Sequence, residues 1–403
     1  MCSFVHYNSA MALIGHIDAD CFYASAERVR RPGLKGVPVG VLGNQGACVI
    51  AKSYEMKANG VKTGMPIWDA VTLCPDGVYV KRDFRWYEVL SRAMLEIIRE
   101  TSPTVEYYSI DEMFFDATGI DTHALQQRVL SETGVPASIG VSHSRTLAKL
   151  ASDARKPFGC TVIVDGDVDL FVENIPVIEV TGIALQSSIM LASHGIRTVG
   201  EFRRADPKLI NRLLTKTGES LWWELNGKPI MPIEVNRPMH KRIARGGSVG
   251  RTTSDRERLI GWIVRNVERL VEAMYWHRYV TRKLSVRLTY KTGGGWSGRT
   301  ALITSTAASE ILIPAAKDLF TAGWSGQPVS HIHIVADELE IKGHHQQSLF
   351  NPQNPELDDL KRTVNDKLGR FAIRSAETLA INDIYTDEAY EYDICDIHGK
   401  SCF

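Results

Sequence analysis

Hydrophobic and polar positions change period several times along this chain, and each change predicts an element. Residues 12–18 form an apolar run that ends on Asp18, which predicts a buried strand. A short helix over 24–30 follows, stopped by Pro32-Gly33. Further strands are expected at 37–42 and 48–51, the second leading into a helical segment at 52–58. Residues 83–101 place Trp86, Leu90, Ala93, Met94, Ile97 and Ile98 at three- and four-residue spacing, as an amphipathic helix does. Two apolar runs then flank Ser109-Ile110-Asp111-Glu112, which reads as a hairpin edge. A helix near 125–132, a strand at 137–142 and a helix over 144–156 come next, the last with Leu147, Leu150, Ala151 and Ala154 as its apolar stripe. Strands alternating with helices over 11–165 predict a layered α/β or α+β domain.

Beyond it the texture changes. Residues 175–233 read as all-helical, with Gly182 and Gly195 in turns whose backbone amides can hold a phosphate. Residues 240–250 read as a basic, flexible linker. A long helix over 256–277 turns Ile260, Ile263, Val264, Val267, Val271 and Met274 inward. Residues 282–291 alternate strictly between basic or polar and apolar, the pattern of a half-buried strand with a cationic face. With a helix near 308–321, bent at Pro314, and a strand at 330–336, this predicts a small antiparallel sheet. Helices would cover one face and leave the other open to a phosphate backbone.

At 403 residues the chain is too long for one core and predicts two to four domains. No apolar run approaches the roughly 18–20 residues of a membrane span, and no basic-then-apolar leader opens the chain. Seven scattered cysteines with no Cys-x-x-Cys spacing predict free thiols in a cytosolic protein and no zinc site. The zero net charge hides an asymmetry. Residues 237–300 hold 15 Lys and Arg against 4 Asp and Glu, whereas 351–403 hold 6 against 11. A polyanion-binding module beside an acidic tail fits that division, and the tail is placed to shield the module.

The candidate chemistry centres on Asp111 and Glu112. Along a continuous strand they would point apart; in a turn they can converge, and two adjacent acids without a partner repel. A divalent cation with oxygen ligands relieves that cost, although a solvated turn would also carry these residues. Asp18 is a further ligand candidate or a helix cap, with Asp20 the better capping residue. Asp116 is expected outside the site. Tyr54 and Lys57 share a helical face and can grip a phosphate. Lys149 and Lys156, two turns apart, are expected on one face of their helix. Gln346-Gln347-Ser348-Leu349-Phe350 is a short peptide whose apolar pair can dock into a partner's groove.

Four runs, Asp18-Ala19-Asp20-Cys21-Phe22-Tyr23-Ala24-Ser25, Cys48-Val49-Ile50-Ala51-Lys52-Ser53-Tyr54-Glu55, Tyr108-Ser109-Ile110-Asp111-Glu112 and Thr146-Leu147-Ala148-Lys149-Leu150-Ala151, resemble the Y-family (translesion) DNA polymerases in order and spacing. The short loop at 42–46 and the residues after Phe350 resemble the UmuC branch more than the DinB branch. The resemblance implies a multidomain α+β right hand: palm at 11–27 and 80–170, fingers at 28–79, a helix-hairpin-helix-like thumb at 171–238, a linker at 239–246, a βαββαβ-like little finger at 247–341 and a tail at 342–403. It implies templated, error-prone transfer of deoxynucleotides to a primer 3′ end in DNA repair and the SOS response. Two Mg2+ ions, with Mn2+ able to substitute, would sit on Asp18, Asp111, Glu112 and the Ala19 carbonyl. Cys21, Phe22, Tyr23, Tyr54, Lys57 and Lys156 would contact the nucleotide, Tyr23 as steric gate, with Cys48 and Ile50 roofing the new base pair. Lys57 stands where arginine is common and lacks its bidentate fork; Ala51 stands where a hydroxyl residue is often found. Lys149, Lys241, Arg242, Arg245, Arg251, Arg282 and Arg287 would bind DNA. Gln346, Leu349 and Phe350 would bind a sliding clamp, and a UmuD-like subunit and a recombinase filament are further partners.

Two other readings compete: a palm-fold nucleotide cyclase, and an inactive polymerase relative that recruits partners at the clamp. The first leaves the helical segment, the alternating basic strand and the docking peptide without a role. The presence of all three carboxylates speaks against the second.

Overall fold

The computed structural model describes residues 12–43, 48–164, 166–236, 238–343, 355–369 and 371–386. They belong to two compact units, Met1–Arg237 and Pro238–Phe403. The docking peptide 346–350 lies outside the described residues.

The first unit opens with β1 (Ile14–Ala19), buried throughout, and α1 (Phe22–Arg30). Then come β2 (Val39–Leu42), β3 (Val49–Lys52), α2 (Tyr54–Ala58), α3 (Ile67–Leu73) and β4 (Val78–Lys81). The three strands form a small sheet of their own, ordered β3-β2-β4. α4 (Phe84–Thr101), β5 (Val105–Tyr107), β6 (Glu112–Asp116), α5 (Thr122–Thr133), β7 (Ala137–Ser142), α6 (Arg145–Asp153) and β8 (Cys160–Val162) follow. Four of these strands flank β1 in a five-stranded sheet, β5-β6-β1-β7-β8. Local chemistry starts the helices where the sheet needs them. Asp83, Asp121 and Ser144 each accept a backbone N–H in the first turn of α4, α5 and α6. α7 (Asp167–Val172), α8 (Leu185–Ala192), α9 (Val199–Arg204) and α10 (Pro207–Leu225), the last kinked at Thr215, make up the expected helical region.

Contact between α6 and the sheet is unusually close. A Cβ on Gly140 of β7 would stand 2.1 Å from the Ala148 carbonyl oxygen and 2.2 Å from the Ser152 nitrogen, both backbone atoms of α6. Only glycine lets the helix lie at this height on the strand.

The second unit runs β9 (Arg242–Thr253), α11 (Arg256–Trp276), β10 (Tyr279–Tyr290), β11 (Gly295–Thr306), α12 (Ser309–Gly323) and β12 (Val329–Ile341). α13 (Pro355–Leu368) and α14 (Asn382–Thr386) close the described chain. The sheet is antiparallel and ordered β11-β10-β12-β9. Leu284, Val286, Leu288, Ile332 and Ile334 pack its inner face against α11 and α12.

Four expectations need correction. The segment 240–250 is no flexible linker: from Arg242 it is strand β9, paired in register with β12 from Asp337 to His331. Its basic residues and glycines hide a strand whose partner lies some 90 residues away, so pairing outweighs propensity. β11 and α13 were not expected. Helix α1 begins at Phe22 rather than Ala24, and its cap is Cys21 in a left-handed conformation, φ 47°, so Asp20 is not the capping residue. α6 ends at Asp153, so Lys156 lies beyond the helix and not on its face.

Gly140→Ala is expected to lower unfolding stability by about 1–3 kcal/mol, because overpacking here meets backbone and not a movable side chain. Urea denaturation reads this directly; an unchanged midpoint would show that α6 can lift off β7 without cost.

Candidate active site

Antiparallel pairing brings the predicted acids together. β1 and β6 are in register with Asp18 opposite Glu112, and the Ala19 N–H donates to the Asp111 carbonyl at 2.9 Å. Directly opposed residues in such a ladder have neighbouring side chains, so Asp18 and Glu112 meet on one face at the sheet's end. Asp111 belongs to the turn between β5 and β6, as the hairpin reading required. Ser109 holds that turn: its Oγ donates to Asp111 Oδ1 at 2.6 Å and lies 3.4 Å from Glu112 Oε2. Asp116, at the other end of β6, accepts from the Thr118 N–H and takes no part.

Positive charge reaches the acids from one side. Lys156 Nζ is 2.8 Å from Asp18 Oδ2 and 2.8 Å from Asp153 Oδ1. Lys149 pairs with Glu112. Lys149 was expected on DNA and Lys156 on a triphosphate; here both neutralise the acidic edge. Burial pushes the Asp18 carboxyl up to about 7 against the pull of Lys156, and Glu112 and Asp111 add to the rise. Burial also raises Asp111, with Ser109 opposing. Burial works against the Lys156 ammonium, but Asp18 and Asp153 outweigh it and hold its proton more tightly than usual.

Among the described residues no three His, Cys, Asp or Glu side chains stand grouped as a ready ligand shell; Lys156, Lys149 and Ser109 engage Asp18, Glu112 and Asp111. The donors themselves suit a hard divalent cation: they are carboxylate oxygens, partly desolvated, on two neighbouring strands and the turn that joins them to β5.

Asp20 has a larger role than a cap. Its carboxylate accepts from Ser138 Oγ at 3.0 and 3.1 Å, from the Phe158 N–H at 2.8 Å and from Tyr54 Oη at 3.1 Å. It thereby ties β7, the loop before β8 and α2 to the end of β1. Burial raises its pKa, and these hydrogen bonds oppose the rise. Burial and Asp20 together push the Tyr54 phenol up. Lys57 is exposed on α2, and Lys52, not singled out in the sequence, donates to Thr63 Oγ1 at 2.9 Å close by.

Tyr23 and Phe22 occupy the first turn of α1. The Tyr23 ring stacks on Tyr87 with centroids 4.7 Å apart and meets Phe84 edge-on at 5.5 Å, so two aromatic rings fix its position. Cys21, at the left-handed cap, has its thiol pushed up by burial and by Asp20. Cys48 and Ile50 lie at the start of β3, Cys48 in an isolated bridge to Pro66. His16, also unremarked in the sequence, is buried in β1 with Nδ1 2.8 Å from Ser152 Oγ of α6. Burial, then Lys149 and Lys156, keep its pKa well below the usual value.

The second unit sorts the other basic candidates by face. Cross-strand partners share a face, and Arg242, Lys283, Arg287 and Arg299 fall on the side opposite the core, with His331 and His333. Asp337 stands among them, 3.4 Å from Arg242. Arg245 does not join this set: it opposes Ile334 and lies on the face of Ile243, both buried. Arg251 and Arg282 are exposed at irregularities in β9 and β10, and Lys241 precedes β9.

Comparison with known proteins accords with this geometry. The impB/mucB/samB family matches residues 17–153, and its C-terminal domain matches residues 240–349. DNA polymerase IV 1 of Bacillus subtilis (strain 168) is 31% identical over 91% of this chain and 93% of its own length. DNA polymerase IV 2 of Mesorhizobium japonicum is 31% identical over 89% and 88%. The structure of a Y-family DNA polymerase chimera, Dbh-Dpo4(243-245)-Dbh, superposes with a TM-score of 0.71 at 22% identity, covering 82% of this chain and all of the other. These matches do not choose between the UmuC and DinB branches. Sequence, domain order and fold agree: the chain belongs to the impB/mucB/samB family, the Y-family DNA polymerases, and with them to the DNA-directed nucleotidyltransferases.

Proposed function

We propose that this protein extends a primer 3′ end opposite damaged template in the cytosol, with Asp18, Asp111 and Glu112 as its catalytic acids. The observation that carries the reading is the register that sets Asp18 opposite Glu112, with Asp111 in the adjoining turn and Lys156 and Lys149 paired with Asp18 and Glu112. Palm, fingers, thumb and little finger would correspond to the five-stranded sheet, the β2–β4 sheet, the α7–α10 region and the β9–β12 unit. Two divalent cations, Mg2+ by preference for hard oxygen ligands, would lower the pKa of the primer hydroxyl and neutralise the triphosphate.

The chain's own residues account for the rest. Asp18, Glu112 and Asp111 supply negative charge that a single lysine pair balances only in part. When a triphosphate arrives, Lys156 and Lys57 have a stronger anion to bind, which frees Asp18 for a cation. The stacked Tyr23 ring would exclude a ribose 2′-oxygen by contact, and its packing on Tyr87 keeps it from moving aside. Arg242, Arg287 and Arg299 would take duplex phosphates on the open face, where affinity falls steeply with salt. Error-prone synthesis, an SOS role, clamp docking through Gln346, Leu349 and Phe350, and UmuD-like or recombinase partners belong to the same proposal.

Asp111→Ala should reduce primer extension roughly a thousandfold, the several kcal/mol that metal-stabilised charge contributes. Duplex binding should hold within about twofold, and added Mg2+ should raise the thermal midpoint of the parent chain but not of the variant. Unchanged synthesis would remove Asp111 from the site. Tyr23→Ala should relax discrimination between deoxy- and ribonucleotides by roughly tenfold or more, read as the ratio of their kcat/KM values; an unaltered ratio rejects the gate. Arg287→Ala should lower the slope of log affinity against log salt by about 1, whereas Arg245→Ala should not. Equal slopes for the two variants would overturn the assignment of the open face.

A further inference from the structure

His16 shares a face of the five-stranded sheet with the acidic edge. β1 and β6 pair it with Phe114, one step along from the Asp18–Glu112 pair, and side chains two apart on a strand point the same way. Its ring centroid lies 4.6 Å from that of Phe114, and the residue is fully buried against α6. The neighbours fix its tautomer. Ser152 has one hydroxyl proton and gives it to the Lys149 carbonyl at 2.7 Å, so toward His16 Nδ1, 2.8 Å away, Ser152 Oγ can only accept. Nδ1 therefore carries the ring proton. A second proton on Nε2 would be a buried, unpaired donor beside Lys149, Lys156 and Arg145, so Nε2 is a lone pair. It is buried and has no hydrogen-bond partner among the described residues, a costly state for an acceptor.

The three nearby cations differ in how firmly they are held. Arg145 donates to the Pro232 carbonyl at 2.7 Å and to Glu106 at 2.8 Å, and it lies over the Phe114 ring. Lys156 has two carboxylates, Asp18 and Asp153, and keeps one if it loses the other. Lys149 has a single carboxylate among the described residues, Glu112. It is also the cation whose charge acts most strongly on His16, and its own carbonyl is two hydrogen bonds from the imidazole by way of Ser152. From Glu112 to the level of Phe114 and His16 is about 7 Å along the strand. That distance is within the sweep of a flexible four-carbon lysine stem.

We propose that His16 Nε2 is a second seat for the Lys149 ammonium, taken when Glu112 binds another cation. A metal ion on Glu112 would otherwise strand a partly buried ammonium without a partner. The neutral imidazole accepts a hydrogen bond from it instead. His16 is then a positioning residue, acting through Lys149 and touching neither metal nor nucleotide. This use of the seat rests on the metal-binding reading of Glu112. The seat itself does not, because any loss of that carboxylate sends Lys149 to it.

Nitrogen-15 NMR of the histidine rings in the full chain tests the proposal, with His16→Phe identifying the signals by their loss. The parent chain should show a protonated Nδ1 and a bare Nε2; the opposite tautomer overturns the proposal. Glu112→Leu, with no metal added, should move the Nε2 resonance upfield, as a nitrogen that gains a hydrogen bond does. Glu112→Gln should move it the same way by less, and Glu112→Leu/Lys149→Met should leave it where the parent has it. A resonance that stays put in both single variants, or that moves equally without the lysine, gives Nε2 to another partner such as a buried water and overturns the seat. Added Mg2+ should produce the same upfield move in the parent chain and none in Lys149→Met. If Glu112→Leu moves the resonance and Mg2+ does not, the seat stands and the metal-binding reading of Glu112 fails.

Discussion

Three carboxylates gathered at the end of one sheet form the constraint on which the rest of the first unit depends. Removing such groups from water costs several kcal/mol each unless positive charge compensates. The fold meets that demand with α6 and the loop after it. Lys149 comes from the helix and Lys156 from just beyond its end, so the placement of α6 sets the electrostatics of β1 and β6. The bare backbone at Gly140 sets that placement in turn, and the His16–Ser152 contact pins it from the other strand. A positional requirement thus passes from a missing side chain to a helix height and then to two ammonium groups.

Much of this was legible in the sequence, for identifiable reasons. β1, α4, β7 and α11 announce themselves because each has one dominant apolar face. The acidic turn was legible because Ser109-Ile110-Asp111-Glu112 sits between two apolar runs. Asp20 was misread as a cap because its partners, Ser138, Phe158 and Tyr54, come from three distant parts of the chain. β9 was misread because glycines and arginines carry little strand propensity of their own; β12 supplies what they lack. The helical reading of 144–156 ran three residues too far, yet Lys156 still reaches Asp18 from outside the helix.

The second unit shows how register turns composition into a surface. Basic residues crowd 237–300, but a count does not say which of them act together. Pairing places Arg242, Lys283, Arg287 and Arg299 on one face and sends Arg245 to the other. Strand parity decides this, and one residue of slip would reverse it. The irregularities at Thr281–Lys283 and in β9 therefore matter beyond their own residues, since they fix which face every later side chain of the strand occupies.

The Tyr54–Asp20 hydrogen bond has a consequence for timing. A phenol has a single proton to donate, and here Asp20 holds it. Tyr54 cannot give that proton to Asp20 and to a phosphate oxygen at the same moment. Asp20 is thus a hub, and in the proposed function a nucleotide that claimed Tyr54 would release one of the three tethers that fix the end of β1. In the proposed reading such a release would be felt at Asp18, two residues from Asp20 along the backbone.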